Sequence, residues 1–370
     1  MTPPLFRPIR LGSVELANRI VVSPMCQYSA DAGVPTAWHD QHLGSLALSG
    51  AGLVIMEATG VEPEGRITPW CTGLWNDAQQ AAFSALLGRV RSYAPDARIG
   101  LQLAHAGRKA STEAPWRGGG PLPADHKLAW TPVAPSPIAF DSGHAVPTEL
   151  DAAGLSRIRE AFARAAGRAM AAGFDSVELH AAHGYLLHEF TSPISNRRGD
   201  AYGGTRDARL RFPLECAEAV RGVWPRERVL GARITGTDWT GEGQDEADAI
   251  AFAAGLRDLG YDYVVVSSGG IAPGISVPVG PAYQLPLAEA VKRAVPGIAV
   301  MTVGMIVGAR QAEAIIAEGR ADLVAMARAF LDDPRWPWHA AETLGHALEV
   351  APQYRRATAR AWPGTGLRAA

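Results

Sequence analysis

The chain has 370 residues, of which 47% are hydrophobic and 19% are charged, and its formal net charge is -2 at pH 7. This balance is typical of a soluble globular protein. Because the sequence pI is about 6.6 and no basic stripe stands out, we do not expect nucleic acid as a partner. No stretch approaches the length needed to span a bilayer, so a membrane protein is not expected either.

Three cysteines, Cys26, Cys71 and Cys216, stand at unrelated spacings. An odd number without a Cys-x-x-Cys pair predicts neither a disulfide framework nor a cysteine-ligated metal site, and it favours a reducing compartment. The first eight residues contain no apolar segment of the kind found in signal peptides. The sequence therefore predicts a cytoplasmic protein.

Short runs rich in β-branched residues recur along the chain, with a longer segment of helical spacing between most of them. The predicted strands are residues 19–23, 53–57, 99–103, 176–180, 230–234, 263–267, 299–303 and 323–326. Eight strands in repeated βα units close a TIM barrel, and barrels of this length commonly form one domain. The predicted fold is an α/β protein with a single (β/α)8 barrel over residues 1–370.

A glycine precedes four of these strands and follows a helix that ends in small or charged residues. The four are Gly50, Gly173, Gly260 and Gly319. Glycine suits the left-handed residue just past a helix end, so each is a predicted C-cap that leads into a buried parallel strand.

Helical spacing is clearest where Leu155, Ile158, Phe162, Ala166 and Ala169 share one face. Further helices are predicted over residues 206–221, 245–259 and 309–318. Each should pack on the outside of the barrel, with its apolar face turned inward.

Residues 106–147 do not fit the repeat. They carry seven prolines and the run Gly118-Gly119-Gly120. Loops of this length in compact domains are usually functional lids or disordered segments. Because this one follows the third strand, it is predicted to overhang the mouth of the barrel as a lid.

Polar and special residues cluster at the carboxyl ends of the predicted strands. They are Ser23, Pro24, Met25, Cys26, Ala58, Thr59, Gln102, His105, His180, His183, Arg233, Ser267, Ser268, Gly304 and Arg328. Parallel strands deliver their last side chains to one rim, where TIM-barrel active sites lie. The pattern therefore predicts an active site at that rim.

Two histidines, His180 and His183, follow the fourth strand. They could ligate a metal, act as structural histidines, or together donate hydrogen bonds to one ligand oxygen. The metal interpretation lacks further ligands, since no His-x-His follows the first strand and no Asp closes the last. Donation to a carbonyl oxygen that gains enolate charge is better supported, and loss of one such donor costs about 10²–10³ in rate.

Tyr185 lies two residues beyond His183. A phenol at that place could protonate a carbanion as a general acid. It could equally be a rim tyrosine that packs under the lid, and the spacing alone leaves both interpretations open.

Arg233 interrupts an otherwise apolar strand, and a buried guanidinium is costly unless it meets an anion or a strong acceptor. The ends of the last two strands, at Val303, Gly304, Ala327 and Arg328, match the place where many barrels hold a phosphate on backbone amides. Arg328 would add a charge-assisted pair, although an arginine after a strand is often a surface ion-pair partner.

Motifs in a fixed order, from residue 5 to residue 354, resemble the Old Yellow Enzyme family of FMN-dependent ene-reductases. They are Asn18-Arg19-Ile20, Ser23-Pro24-Met25-Cys26-Gln27-Tyr28, Glu57-Ala58-Thr59, Gly65-Arg66-Ile67, Gln102 through Lys109, His180 through Tyr185, Ser195-Asn196-Arg197-Arg198 and Asp200 through Gly204. The set is specific because the order is kept over nearly the whole chain, whereas any one motif alone is weak.

This resemblance implies non-covalent FMN at the barrel mouth, reduced by NADPH or NADH, and hydride transfer to the β-carbon of an activated alkene. The implied contacts of the ring are Ser23, Pro24, Met25, Cys26, Ala58, Gln102 and Arg233, and those of the phosphate are Val303, Gly304, Ala327 and Arg328. Arg233 has a physical reason to lie near the N1–C2 carbonyl edge, since that edge gains negative charge on reduction.

The resemblance also assigns substrate roles. His180 and His183 would hold the substrate carbonyl, and Tyr185 would protonate the α-carbon. Phenols are implied as inhibitors, because their oxyanion would occupy the same seat. Tyr28 resembles a tyrosine that contacts substrate.

Cys26 resembles the cysteine of the thermophilic-like subgroup, where the thiol lies near the flavin C4 carbonyl and tunes its potential. The alternative is a small buried residue, as most free cysteines are. Ala327 stands where relatives usually have glycine, which leaves close approach of its amide to a phosphate open.

The C-terminal tail, residues 350–370, contains Tyr354-Arg355-Arg356. It resembles a segment that sends an arginine into the neighbouring subunit's site in this subgroup. We therefore expect a homodimer or higher homo-oligomer, with Arg356 as the arginine that reaches across.

Three other functions compete. A dienoyl-CoA-type flavin reductase would append an iron–sulfur segment, and no cysteine follows Cys216. A metal-dependent hydrolase would use the histidine pair as ligands. A non-catalytic flavin-binding protein would keep FMN without turnover.

Overall fold

Eight parallel strands form a closed barrel in the computed structural model, which describes residues 1–367. The strands are β1 (Ile20–Val22), β2 (Leu53–Gly60), β3 (Ile99–Ala104), β4 (Ser176–Ala181), β5 (Val229–Thr235), β6 (Tyr263–Ser267), β7 (Ala299–Val303) and β8 (Leu323–Met326). Each pairs with the next along the chain, and β8 closes the barrel on β1. The predicted fold class and all eight predicted strands are confirmed.

An outer layer of helices follows the strands. Their bounds are Ala37–Ala47, Asp77–Arg91, Ala152–Ala172, Arg206–Val223, Glu246–Asp258, Leu285–Ala294, Ala309–Ala317 and Trp336–Thr343, with the short helices Leu186–Thr191 and Arg328–Asp332 after β4 and β8. The helix Ala152–Ala172 buries its apolar face, as its spacing predicted. No helix within residues 1–367 is both long enough and apolar enough to cross a bilayer.

The amino end of the barrel is covered by a two-stranded hairpin, Ile9–Leu11 paired with Val14–Leu16. Leu11 and Leu16 are buried in one cluster with interior residues such as Val21 and Tyr263. Apolar side chains therefore fill this end, and the carboxyl end of the strands is the side where a ligand can enter.

All four glycines predicted as helix C-caps adopt the left-handed conformation. Their φ angles are +85° at Gly50, +101° at Gly173, +81° at Gly260 and +71° at Gly319. The left-handed region is unfavourable for a residue with a Cβ. Glycine therefore allows the chain to turn from each helix into the following strand.

The lid segment, residues 106–147, contacts the loops after the first two strands. It contains the 3-10 turns Gly107–Lys109 and Pro115–Arg117 and the short strand Val133–Ala134. The ring of Trp116 lies 5.7 Å from that of Tyr28, edge to face, and the guanidinium of Arg117 lies 4.4 Å from the Trp70 ring. The segment thus reaches the mouth of the barrel, as predicted.

Gly319→Ala is expected to lower the free energy of unfolding by about 1–2 kcal/mol, because an L-residue is strained in the left-handed region. A Cβ at Gly319 meets no atom within 4 Å, so backbone strain is the only direct cost. The control, Gly167→Ala, adds a Cβ inside the helix Ala152–Ala172, also with no atom within 4 Å, and should stabilise by about 0.5–1 kcal/mol. Denaturant midpoints measured at equal cofactor loading should fall for Gly319→Ala and rise for Gly167→Ala. A shift of both midpoints in the same direction would contradict the role of backbone strain at Gly319.

Candidate active site

The strand ends bring most of the predicted site residues to one rim. Ser23 follows β1, Ala58 lies in β2, Gln102 in β3, His180 in β4 and Arg233 in β5, while Gly304 and Ala327 follow β7 and β8. Since all strands of the barrel run parallel, these residues meet at the same mouth.

An irregularity in β2 ties the loop after β1 to the barrel. The pairing register with β3 shifts between Met56 and Ala58, so Glu57 is an extra residue. Its buried carboxylate accepts the Gln27 N–H at 2.9 Å and pairs with His39 at 3.0 Å. A bulge redirects the residues around it. Here Glu57 holds the loop that carries Cys26.

Arg233 brings a half-buried guanidinium to the rim. Its Nη1 donates to Ser23 Oγ at 3.1 Å and its Nε donates to Ser267 Oγ at 3.3 Å. Burial lowers the pKa of this guanidinium, although Glu178 opposes the shift. Two neutral hydroxyls do not neutralise a cation, so the position favours an anionic ligand.

Glu178 is a buried site residue that the sequence analysis missed. Its two carboxyl oxygens accept Gln102 Nε2 at 2.7 Å and Tyr263 OH at 3.1 Å. Burial raises its pKa, while Arg233 and both hydrogen bonds act in the opposite direction. The interaction fixes Gln102 and leaves its second N–H and its carbonyl for a ligand. The available sequence signal was a carboxylate inside an otherwise apolar strand.

His180 and His183 lie side by side, with ring centroids 5.3 Å apart and planes at 89°. Nδ1 of His180 accepts the Ala182 N–H at 3.3 Å, so a neutral ring carries its proton on Nε2 and can donate it. Burial, followed by the charge of Arg233, lowers the pKa of both imidazoles. Both rings are therefore neutral hydrogen-bond donors near pH 7.

Within residues 1–367, no group of three or more His, Cys, Asp and Glu side chains is placed to hold a metal ion. The histidine pair is instead joined by a third ring. Tyr185 lies 5.0 Å from His180 at an interplanar angle of 78°. Burial raises the pKa of its phenol above the usual value, so Tyr185 stays protonated at neutral pH and can serve as a proton donor.

A buried network below the histidine pair was not predicted. His188 accepts the Gly184 N–H on Nδ1 at 2.7 Å and contacts Asp238 through Nε2 at 3.0 Å. Thr235 Oγ1 accepts the N–H of His183 at 3.2 Å. These contacts hold the turn between the two site histidines and Tyr185. Nothing in the local sequence distinguishes His188 from an ordinary core histidine.

Cys26 and Tyr28 lie on the loop after β1. Tyr28 has a left-handed backbone, with φ +45°. Burial raises the pKa of both the thiol and the phenol. Cys26 is therefore present as a neutral thiol, not as a thiolate nucleophile.

The loops after β7 and β8 differ in their need for glycine. Gly304 has φ +112°, and a Cβ there would lie 2.5 Å from Gln284 Nε2. The same amide donates to the Val303 carbonyl at 3.0 Å. Ala327 has φ −110°, so this position does not require the left-handed conformation that favours glycine. Arg328 is exposed at the start of a short helix.

Arg356 is exposed on the 3-10 turn Pro352–Ala357. The turn is anchored by Tyr354, whose ring lies 5.7 Å from that of Trp338, with the Arg335 guanidinium 4.5 Å from the Tyr354 ring. Insertion of Arg356 into a neighbouring subunit stays a prediction. Residues 368–370 of the predicted tail lie outside the described residues.

The sequence profile of the NADH:flavin oxidoreductase / NADH oxidase family matches residues 4–346. The chain belongs to this family. The Old Yellow Enzyme resemblance is thereby confirmed, and with it an oxidoreductase that uses a flavin and a nicotinamide cofactor.

Curated relatives match over nearly their full length. The NADPH dehydrogenase of Geobacillus thermodenitrificans (strain NG80-2) is 41% identical over 358 residues, which cover 96% of this chain and 99% of the relative. That of Listeria innocua serovar 6a is 42% identical over 355 residues, covering 95% and 98%. A solved structure of morphinone reductase in complex with tetrahydroNAD is 29% identical, with a TM-score of 0.77 and coverage of 94% and 93%.

The rim fits a flavin on its own chemistry. Among residues 1–367, no carboxylate lies within hydrogen-bond distance of the Arg233 guanidinium, and Gln102 keeps one N–H and its carbonyl free of Glu178. Gly304 exposes its backbone at a place where a side chain would clash with Gln284. A ring with an edge that becomes anionic and a phosphate are the two groups that such donors would hold.

Alkylation tests the protonation state of Cys26. We expect the iodoacetamide reaction of Cys26, followed by peptide mass mapping, to be at least about tenfold slower than that of glutathione at pH 8, since thiolate is the reactive form. Its rate should keep rising with pH beyond pH 9, because burial raises the thiol pKa above its ordinary value of 9.0. A rate that levels off below pH 8 would show a thiolate and contradict this assignment.

Proposed function

We propose that the protein is an FMN-dependent NAD(P)H oxidoreductase that reduces the activated C=C bond of α,β-unsaturated carbonyl compounds. The observation that carries the proposal is one rim where two neutral histidines and a protonated tyrosine meet, beside the Arg233 guanidinium, which donates to two hydroxyls. The NADPH dehydrogenase relatives support NADPH as the donor, and the tetrahydroNAD complex of morphinone reductase supports NADH as the other candidate.

We further propose one FMN-binding domain over residues 1–370, in the cytoplasm, assembled as a homodimer or higher homo-oligomer. Arg356 would then complete the substrate site of a neighbouring subunit. Phenols would act as inhibitors by placing their oxygen between the two histidines.

For the cofactor, Ser23, Pro24, Met25, Cys26, Ala58, Gln102 and Arg233 would hold the ring, and Val303, Gly304, Ala327 and Arg328 would hold the phosphate. When bound and reduced, FMN supplies the hydride that the alkene accepts. Arg233 would stabilise the negative charge of the reduced ring edge, and Glu178 keeps Gln102 in place. Cys26, as a neutral thiol, would tune the potential through a hydrogen bond.

For the substrate, His180 and His183 would donate to the carbonyl oxygen. Negative charge grows on this oxygen during reduction, and donors fixed in advance stabilise it without reorganisation. Tyr185 would deliver its phenolic proton to the α-carbon, which its raised pKa permits because the proton is retained until a strong base forms. Tyr28 would contact the bound alkene.

The central test is spectroscopic. The purified protein should be yellow or should become so with FMN, bleach under anaerobic NADPH, and recover its colour on addition of cyclohexenone. A phenol titration should give a long-wavelength charge-transfer band, because the phenolate oxygen would lie between the histidines. Metal analysis in the same preparation tests the hydrolase alternative.

Protein that cannot be loaded with FMN would contradict the whole proposal. Loading and bleaching without recovery by any enone, maleimide or nitroalkene would favour the non-catalytic flavoprotein. Turnover confined to aromatic or dienoyl thioesters would favour the dienoyl-CoA-type reductase.

Tyr185→Phe separates protonation from cofactor reduction. We expect reoxidation of the reduced enzyme by cyclohexenone to slow by about 10²–10⁴, because the general acid is lost. Flavin reduction by NADPH should stay within about twofold of the wild-type rate, since Tyr185 has no part in it. Stopped-flow absorbance measures both steps.

The matched control is Tyr93→Phe, which removes a hydroxyl from a tyrosine that is 43% exposed and outside the rim. It should leave both rates unchanged. Equal loss of both steps in Tyr185→Phe would show that Tyr185 is structural.

A further inference from the structure

Lys109 joins two loops of the rim through its ammonium group. Nζ donates to the carbonyl of His183 at 2.8 Å and to the carbonyl of Gly270 at 3.0 Å. The first carbonyl belongs to the turn after β4 that carries the histidine pair and Tyr185, and the second belongs to the loop after β6. Lys109 itself comes from the start of the lid, after β3.

The two loops meet too closely for any side chain to separate them. A Cβ on Gly184 would lie 2.1 Å from the Gly270 carbonyl oxygen, and a Cβ on Gly270 would lie 2.9 Å from the His183 Cα. His183 also has φ +60°, an unfavourable conformation for a residue with a side chain. The contact brings two carbonyl dipoles together, and a cation between their oxygens offsets the repulsion.

The lid is fastened to the same place. Arg108 donates to the Ile271 carbonyl at 2.6 Å and to the lid carbonyls of Ile138 and Ala139 at 3.3 and 3.4 Å. Lys109 Nζ lies 4.9 Å from the ring of Phe140, also in the lid. One dibasic pair therefore binds the lid, the histidine turn and the β6 loop together.

The ammonium group also faces the proposed proton donor. Nζ lies 5.0 Å from the centroid of the Tyr185 ring, within the range of a cation–π contact. A single group thus holds the carbonyl of His183 and the ring of Tyr185, two parts of the proposed substrate seat.

We propose that Lys109 is a positioning residue that couples the seating of the lid to the placement of His183 and Tyr185. The structural part of this inference stands on the contacts of Lys109 alone. Its catalytic consequence rests on the proposed function, because it assumes that His183 and Tyr185 act on the substrate.

The bridge that Lys109 Nζ forms between the carbonyls of His183 and Gly270 should weaken at high pH. Burial lowers the pKa of Lys109 to about 8, with Arg108 acting in the same direction and Glu189 against it. The ammonium form is present below that pH and is lost as the pH rises through it, which weakens the bridge on the alkaline side. The other groups that face Lys109 are the neutral His180 and His183, the protonated Tyr185, and Glu189, whose pKa burial raises to about 8.

Hydrogen exchange tests the positioning role without any assay of activity. In Lys109→Met, the amides of residues 183–185 and 269–271 should exchange at least about tenfold faster, since the bridge that closes the two loops is gone. Lys109→Arg keeps a cation and should largely retain protection. The control is Lys127→Met, an exposed lysine of the same lid, which should leave these amides unchanged.

Half-reaction kinetics test the catalytic consequence. Lys109→Met should slow reoxidation by cyclohexenone by about tenfold to a hundredfold, as a small misplacement of reacting groups does, while NADPH reduces the flavin at a rate within about twofold of the wild type. The wild-type reoxidation rate should fall above about pH 8, and Lys109→Arg should extend the plateau upward, because a guanidinium keeps its charge.

If Lys109→Met does not fold, Lys109→Gln replaces it, because an amide keeps N–H donors without the charge. Unchanged exchange at residues 183–185 in a folded variant would overturn the positioning role. Faster exchange with unchanged reoxidation would overturn its coupling to catalysis. Failure of the protein to bind FMN would contradict the proposed function. The hydrogen-exchange experiment would still decide whether Lys109 holds the two loops together.

Discussion

The guanidinium of Arg233 is the constraint on which the rim depends. It lies in a strand of the barrel, where desolvation is costly, and its hydrogen bonds go to the hydroxyls of Ser23 and Ser267. Glu178, which could have neutralised it by direct contact, is engaged by Gln102 and Tyr263. The fold thus keeps a positive charge available at the mouth, and an anionic or reducible ring is the kind of ligand that makes this arrangement favourable.

Around that cation, burial keeps the remaining groups in their uncharged forms. The two histidines are neutral, and the tyrosine and the cysteine keep their protons, because desolvation penalises the charged form of each. Neutral donors suit an oxygen that becomes negative only during the reaction, since they bind the ground state weakly and the charged state strongly. The same desolvation lowers the pKa of Lys109 to about 8, so this cation loses its charge a little above neutral pH.

The barrel and most of the rim were predictable, because both depend on short-range patterns. Strand runs, helical spacing and the four glycine caps are local signals, and the strand ends then place His180, Arg233 and Gly304 on one edge. The supporting interactions were not predictable from one sequence. Glu178 is 76 residues from Gln102, and Lys109 is 161 residues from Gly270. A single chain carries no mark that such distant residues are partners. The carboxylate of Glu178 stands out in its strand, but its partners do not follow from that, and His188 does not differ from an ordinary core histidine.

The hairpin at the amino end gives the barrel a floor. Because Leu11 and Leu16 pack against the interior side chains, the barrel formed by the described residues is accessible from its carboxyl end. Under the proposed function, NAD(P)H and the alkene would both reach the flavin through that mouth. Each would then hinder the access of the other, a consequence of the closed amino end rather than of any residue at the rim.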